Sequence, residues 1–170
     1  QVDKAYVTLS WDGVPLKDER DAYQKNLQLT VAWYDEHGKT VDPQTTRQGS
    51  TLYGRFSVKN AGPASEVNEV ALVQLLPSGW AIDNLRLNNT LLPDWVRTWN
   101  INKETYQDIR DDRVMWFFNL KGSETLDCVV KLTCVHAGDF WLPATLTEAM
   151  YNSDYSAKTS GRSVHVEAFN

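Results

Sequence analysis

The densest run of side chains able to do chemistry is Arg110-Asp111-Asp112-Arg113, with Asp108 just upstream. Neighbouring carboxylates could act as general acid and base, or hold a cation. Calcium takes roughly six to eight oxygens from a flexible loop, and the flanking arginines put positive charge where a cation would sit. Glycosidase carboxylates face each other across a cleft from separate elements rather than lying side by side. The stronger reading is a structural charge cluster of Asp108, Arg110, Asp111, Asp112 and Arg113. It leads a strand into the fold and forms cross-strand ion pairs and turn hydrogen bonds.

The three histidines, His37, His136 and His165, fall in a turn, at a strand end and within a strand, with no pair at ligand spacing. No serine or threonine has a G-x-S-x-G context. The chain therefore reads as non-enzymatic, with no catalytic residues, no metal and no cofactor. Cys128 and Cys134 share the segment LDCVVKLTCVH, which reads as one strand. At about 3.3 Å per residue their Cα atoms stand roughly 20 Å apart, beyond the roughly 7 Å limit of a disulfide. They are expected to be reduced and buried on one strand face.

The seven tryptophans are many for this length. Trp33 and Trp116 lie in alternating strands and read as core, whereas Trp95 and Trp99 have no evident place. Exposed tryptophans on a sandwich could stack sugars, so a carbohydrate-binding or adhesive β-sandwich module of a surface protein is the alternative reading. Met150-Tyr151 closes the strand-like run ATLTEAMY before the loop NSDYSAKTSG. Adjacent residues in a strand point to opposite faces, so both can meet one target only where the chain leaves the strand.

What positions these groups is β-structure. Leu27, Leu29, Val31 and Trp33 alternate with polar residues. The same period marks Leu52 to Val58, Val70 to Leu76, Val114 to Leu120, Leu126 to Val135, Phe140 to Met150 and Val164 to Ala168. Turn-forming groups such as Asn60-Ala61-Gly62-Pro63 and Lys121-Gly122-Ser123 separate them. An all-β antiparallel sandwich of immunoglobulin-like type is expected, with one or two helical turns between Leu91 and Tyr106. Residues 1–25 hold one strand-like piece at Ala5 to Trp11 and then the polar run Lys17 to Gln24. Residues 26–170 read as the sandwich.

A chain of 170 residues suits one domain. Folding at this size buries roughly 70% of the unfolded surface, enough for a core without staples. A net charge of −5 and a pI near 5.1 give no basic footprint, which argues against nucleic acid or an anionic membrane surface as a partner. No apolar run approaches the roughly 20 residues of a spanning helix, so direct membrane insertion is not expected. Gln1 opens a polar segment without a signal-peptide pattern, and the chain reads as a fragment of something longer.

In order along the chain come YQDIRDDRV (Tyr106 to Val114), a hydrophobic strand, AGDFWLP (Ala137 to Pro143) and EAMY (Glu148 to Tyr151). Together with Leu27 to Val41 and LLPSGWAI (Leu75 to Ile82), this series resembles the C-terminal macroglobulin-type domain of bacterial alpha-2-macroglobulins, thioester-containing proteinase traps. The resemblance covers roughly residues 26 to 168 and implies that residues 1–25 are a strand and connector from the preceding domain. It implies a non-catalytic domain that packs on the thioester and macroglobulin domains of the same polypeptide and meets target proteinases only through the full-length protein. It implies a periplasmic or cell-envelope setting, with an N-terminal lipid anchor on the parent protein. It also implies that Met150 and Tyr151 form a thioester-shielding interface over a separate helical domain. A thioester is an activated acyl group, and an aromatic ring with a thioether excludes the water that would hydrolyse it. No C-x-E-Q sequence occurs here, so the thioester itself would come from elsewhere. Receptor recognition through a basic helix, a property of eukaryotic relatives, is not carried over, because no comparable lysine-bearing helix is evident.

Overall fold

The computed structural model describes residues 7–10, 22–83, 92–101 and 105–169. Residues 7–10, the described part of the strand-like piece at Ala5 to Trp11, form no strand and are exposed, and the rest of that piece with most of the connector lies outside the described residues. Within the described residues the chain runs β1 (Tyr23–Lys25), β2 (Leu27–Tyr34), β3 (Thr40–Val41), β4 (Thr45–Arg47), β5 (Thr51–Asn60), β6 (Glu66–Leu75) and β7 (Trp80–Asp83). A 3-10 helix at Asp94–Thr98 follows, then β8 (Tyr106–Arg110), β9 (Arg113–Lys121), β10 (Thr125–Cys134), β11 (Gly138–Leu142), β12 (Thr145–Ala149), β13 (Asn152–Lys158) and β14 (Arg162–Glu167).

Two main sheets form the sandwich, with strand orders β1-β13-β12-β6-β9-β8 and β3-β2-β5-β10-β7. A small third sheet, β11-β14-β4, includes a parallel pairing of β14 with β4, while the ladders of the two main sheets are antiparallel. The alternation legible in β2 is realised in space: Leu27, Leu29 and Trp33 are buried. Phe56 from one main sheet meets Trp116 from the other with ring centroids 5.2 Å apart, and Trp33 packs edge-on against Phe56 and Trp80. Trp33 and Trp116 are thus core residues, as their strand patterns predict. Cys128 and Cys134 are free and buried. Burial pushes the Cys128 thiol well above its usual pKa, and burial also raises Cys134, whose Sγ donates to Thr46 Oγ1 at 3.4 Å.

Two sequence readings are corrected. Phe140 to Met150 is not one strand: Pro143 cannot donate to a ladder, and the chain breaks there, leaving β11 in the small sheet and β12 in the six-stranded one. Gln74 bridges the break, donating from Nε2 to Pro143 O at 3.1 Å and accepting from Thr145 Oγ1. NSDYSAKTSG is not a loop, because most of it forms β13, where Tyr155 and Ala157 turn inward. Tyr106 to Arg110 is an edge strand, paired residue for residue with β9. The helical turn expected between Leu91 and Tyr106 is present as Asp94–Thr98.

Two segments that carry the family resemblance meet in the core. A Cβ on Gly79, within LLPSGWAI, would collide with the Phe140 ring of AGDFWLP, so only glycine allows the aromatic to close against that turn. The Gly79 carbonyl also accepts from Val135 and His136 N–H at 2.8 and 3.1 Å. The last residues of the span read as connector take part in the sandwich: β1 pairs with β13 from Tyr23↔Lys158 to Lys25↔Ser156.

Candidate functional site

Ala149 pairs with Asn152, so Met150 and Tyr151 form the loop between β12 and β13. The chain has left the strand here. That satisfies the condition for both side chains to address one target. Tyr151 is 86% exposed and Met150 44%, while the residues that root the loop, Ala149 and Tyr155, are 5% and 4% exposed. Exposed apolar side chains thus stand on an anchored base.

Two neighbouring elements brace the loop. On β6 the pairing register shifts between Val67 and Val70, and Glu69 takes a left-handed conformation with φ 55°. Such a bulge re-aims the backbone, and the Glu69 carbonyl accepts from Met150 N–H at 2.9 Å. From the other side, Lys25 Nζ donates to Ser153 O at 3.2 Å and pairs with the Asp154 carboxylate at 2.7 Å. The Lys25 hydrogen bond holds the Asp154 carboxyl below its ordinary range. Asn152 Oδ1 accepts from Asp154 N–H at 3.1 Å, an Asx turn that shapes the return into β13. Met150, Tyr151, Ala149, Ser153 and Tyr23 line an open depression of about 500 Å³. Glu148, Asn152 and Ser156 also line it, so the two exposed apolar side chains stand in a mixed polar and apolar surface. Among the described residues no group of three or more His, Cys, Asp or Glu could hold a metal ion.

The charge cluster occupies the opposite end of the same sheet. Arg110 pairs with Arg113 at the β8–β9 hairpin, next to Leu75, whereas the Met150 loop follows Ala149, opposite Val70. Along β6 those points are separated by roughly 17 Å. The two sequence-predicted groups are therefore not one site. The ion pairs also run along the chain rather than across strands: Arg110 Nη2 to Asp108 at 3.1 Å, and Arg113 to Asp112 at 2.7 Å. The hydrogen bond from Arg113 holds the Asp112 carboxyl below its usual range. Asp111 and Asp112 form the hairpin tip, and Asp112 O accepts from Leu76 N–H at 2.8 Å. Among the described residues, the cluster's ion pairs thus join residues one or two apart in sequence, and its backbone contact runs to the end of β6.

Trp95 and Trp99, unplaced by sequence, pack on the outer face of the five-stranded sheet. Trp95 lies edge-on to Tyr53 and tilted on Tyr34, and Trp99 stacks near Tyr34 beneath the Arg55 guanidinium, 4.9 Å from its centroid. The two indoles meet at 71°. A sugar platform needs open, near-coplanar faces, and these rings are half-buried and crossed.

A family model described as the bacterial alpha-2-macroglobulin MG10 domain matches residues 27–154, a stretch that takes in both Met150 and Tyr151. The chain belongs to this family. An alpha-2-macroglobulin of Xylella fastidiosa is 28% identical over 160 residues, covering 86% of this chain and 9% of that protein. An alpha-2-macroglobulin homolog of Yersinia pestis is 22% identical over 174 residues, covering 93% and 8%. This macroglobulin domain thus spans less than a tenth of the curated relatives it matches. The structure of Salmonella alpha-2-macroglobulin reacted with methylamine superimposes with a TM-score of 0.78 at 20% identity, covering 91% of this chain and 10% of that one. Trypsin-activated alpha-2-macroglobulin from Escherichia coli gives 0.75 at 20%, covering 86% and 11%. At that identity the superpositions establish the macroglobulin fold.

Proposed function

We propose that this domain is a non-catalytic part of a bacterial proteinase trap, and that its Met150–Tyr151 loop covers the thioester of a neighbouring helical domain in the same polypeptide. The observation that carries the reading is the loop itself. An aromatic ring and a thioether at consecutive positions are held out of the core on a backbone fixed by the Glu69 bulge and by Lys25. A side chain committed to its own core could not cap a neighbour. A rigid apolar cap excludes water from an activated acyl group at little ordering cost on docking, because its backbone is already fixed.

The same proposal takes the residues before Tyr23 as the connector from a preceding domain, with β1 (Tyr23–Lys25) already part of the sandwich. It places the domain at the C-terminal end of its parent, in the periplasm or cell envelope, on a protein anchored by an N-terminal lipid. Target proteinases then meet it only through the full-length molecule. The Escherichia coli relative is described as trypsin-activated and the Salmonella one as reacted with methylamine, which is the behaviour expected of the parent. The test is covalent capture. Full-length protein mixed with trypsin should yield a proteinase adduct stable in denaturant, and pretreatment with methylamine should abolish it. A full-length protein with no adduct and no methylamine-sensitive thiol would overturn the reading.

A further inference from the structure

Val96 is the buried residue of the segment 92–101, yet it lies outside the core that joins the two main sheets. The indoles on either side of it, Trp95 and Trp99, pack on Tyr34 and Tyr53 at the outer face of the five-stranded sheet. A satellite cluster of this kind, held beneath a connecting segment, opens without the main core when its few attachments fail. Here the attachments converge on one residue of β10. Asn100 N–H donates to Asp127 Oδ2 at 3.0 Å, Asp127 N–H returns a bond to Asn100 O at 2.9 Å, and the Arg55 guanidinium held by Asp127 sits over Trp99. Asn100 Nδ2 adds a bond to Thr125 O at 2.6 Å, and Trp95 Nε1 reaches Glu36 O at 3.4 Å. An ionised acceptor makes hydrogen bonds about twice as strong as a neutral one, so the charge on Asp127 governs how firmly the segment is held.

We propose that residues 92–101 form a strap latched to the five-stranded sheet by the ionised Asp127 carboxylate, and that protonating this one group opens the strap as a unit while the sandwich stays folded. The inference is independent of the thioester reading. Burial pushes the Asp127 carboxyl up, but the bonds from Arg55, Ser57 and Asn100 outweigh it and leave the pKa below its ordinary value. The latch is therefore closed above the usual carboxylate range and opens as pH falls through the folded value. Arg55 and Ser57 face Asp127 from β5, with Lys59 farther along that strand and Tyr34 of β2 beyond the guanidinium. On β10 its neighbours are Cys128 and, on the same face, Lys131 paired with Asp83 of β7. Asp35, Glu36 and His37 stand in the turn beside Trp95, and Asp94 pairs with Arg97 on the strap itself at 2.8 Å. Opening would uncover Tyr34, Tyr53 and both indoles, an aromatic surface that the closed chain keeps covered.

The test is residue-resolved amide hydrogen exchange in the 170-residue chain, corrected for the intrinsic rate at each pH. The reporters are the Val96, Trp99 and Asn100 amides of the strap, which donate to Pro93 O, Val96 O and Asp127, set against Leu72 and Phe118 on inner strands of the six-stranded sheet. Between about pH 6 and about pH 3 the strap amides are expected to lose protection at least about tenfold, while Leu72 and Phe118 stay at least about a hundredfold better protected throughout. Asp127→Asn, which keeps the shape but not the charge, should show the open strap already at neutral pH and no further change in acid. Asp35→Asn and Asp94→Asn should keep the wild-type step. Strap and core amides of equal protection, a strap indifferent to pH, or a step that survives in Asp127→Asn would each overturn the proposal, as would a step lost in Asp35→Asn or Asp94→Asn instead. If Asp127→Asn does not fold, the wild-type profile and the two other variants still decide it.

Discussion

Arg55 on β5 grips Asp127 on the neighbouring β10 with two parallel hydrogen bonds, Nε to Oδ1 at 3.0 Å and Nη2 to Oδ2 at 2.8 Å. The Asp127 side chain is 2% exposed, and it also accepts from Ser57 Oγ and from Asn100 N–H. That last bond, with the Arg55 guanidinium over Trp99, fastens the segment carrying the tryptophans to the sheet.

Removing the carboxylate should therefore cost both the pair and the clasp. Asp127→Ala is expected to lower stability by about 2–3 kcal/mol, since Arg55 is left partly desolvated without a partner. The acid dependence follows. Burial is the largest influence on Asp127 and pushes its pKa up, but the bonds from Arg55, Ser57 and Asn100 outweigh it and leave the pKa below the ordinary value. Its stabilisation is thus fully present above the unfolded pKa of about 3.9 and is lost as pH falls through the folded value. Urea melts between neutral and acid pH should show the gap between wild type and Asp127→Ala closing below about pH 4. A gap independent of pH would contradict this assignment.

Tyr155 turns inward from β13, and its Oη accepts from Ala64 N–H at 3.0 Å, with the ring lying over Gly62. A Cβ at Gly62 would stand 2.6 Å from that ring and 2.7 Å from the hydroxyl. Gly62→Ala should consequently destabilise by about 1–3 kcal/mol, the usual cost of overpacking, as read in a thermal melt. Wild-type stability in that variant would mean the Asn60–Ala64 turn is not fixed by Tyr155.

The two thiols should resist alkylation at pH 8 and react only in denaturant, because burial both blocks access and raises their pKa values. Rapid labelling of either in native protein, or a mass showing an internal disulfide, would contradict the buried placement.

The strands that alternate cleanly were legible in the sequence. β2 and β5 carry period-2 patterns because one face is buried and the other is not. β13 was illegible for a physical reason: Asn152, Ser153, Asp154 and Ser156 have turn composition, and only Tyr155 and Ala157 are buried. The break at Pro143 was readable from its missing N–H but was lost in an apolar stretch. The Met150–Tyr151 loop was legible through family resemblance, not residue patterning. The placement of Trp95 and Trp99 depended on contacts to Tyr34, Tyr53 and Arg55 from other strands, which their own spacing does not encode.

Those tryptophans separate a sugar-binding module from a trap component. Their crossed, half-buried rings predict that the chain is not retained on a glycan array, and that Trp99→Ala lowers the melting temperature by loosening the cover over Arg55. Strong retention of wild type, abolished by Trp95→Ala or Trp99→Ala without loss of stability, would favour the carbohydrate reading.

If the exposed Met150–Tyr151 loop keeps water from a thioester, as proposed, thioester lifetime must depend on its two side chains. In the full-length protein, Tyr151→Ala and Met150→Ala remove surface side chains, so the domain should melt as wild type does. Thiol release on standing and on exposure to methylamine should accelerate, by roughly tenfold if the cap contributes about 1.4 kcal/mol to the hydrolysis barrier. Lifetimes equal to wild type in both variants, with the fold intact, would contradict the account.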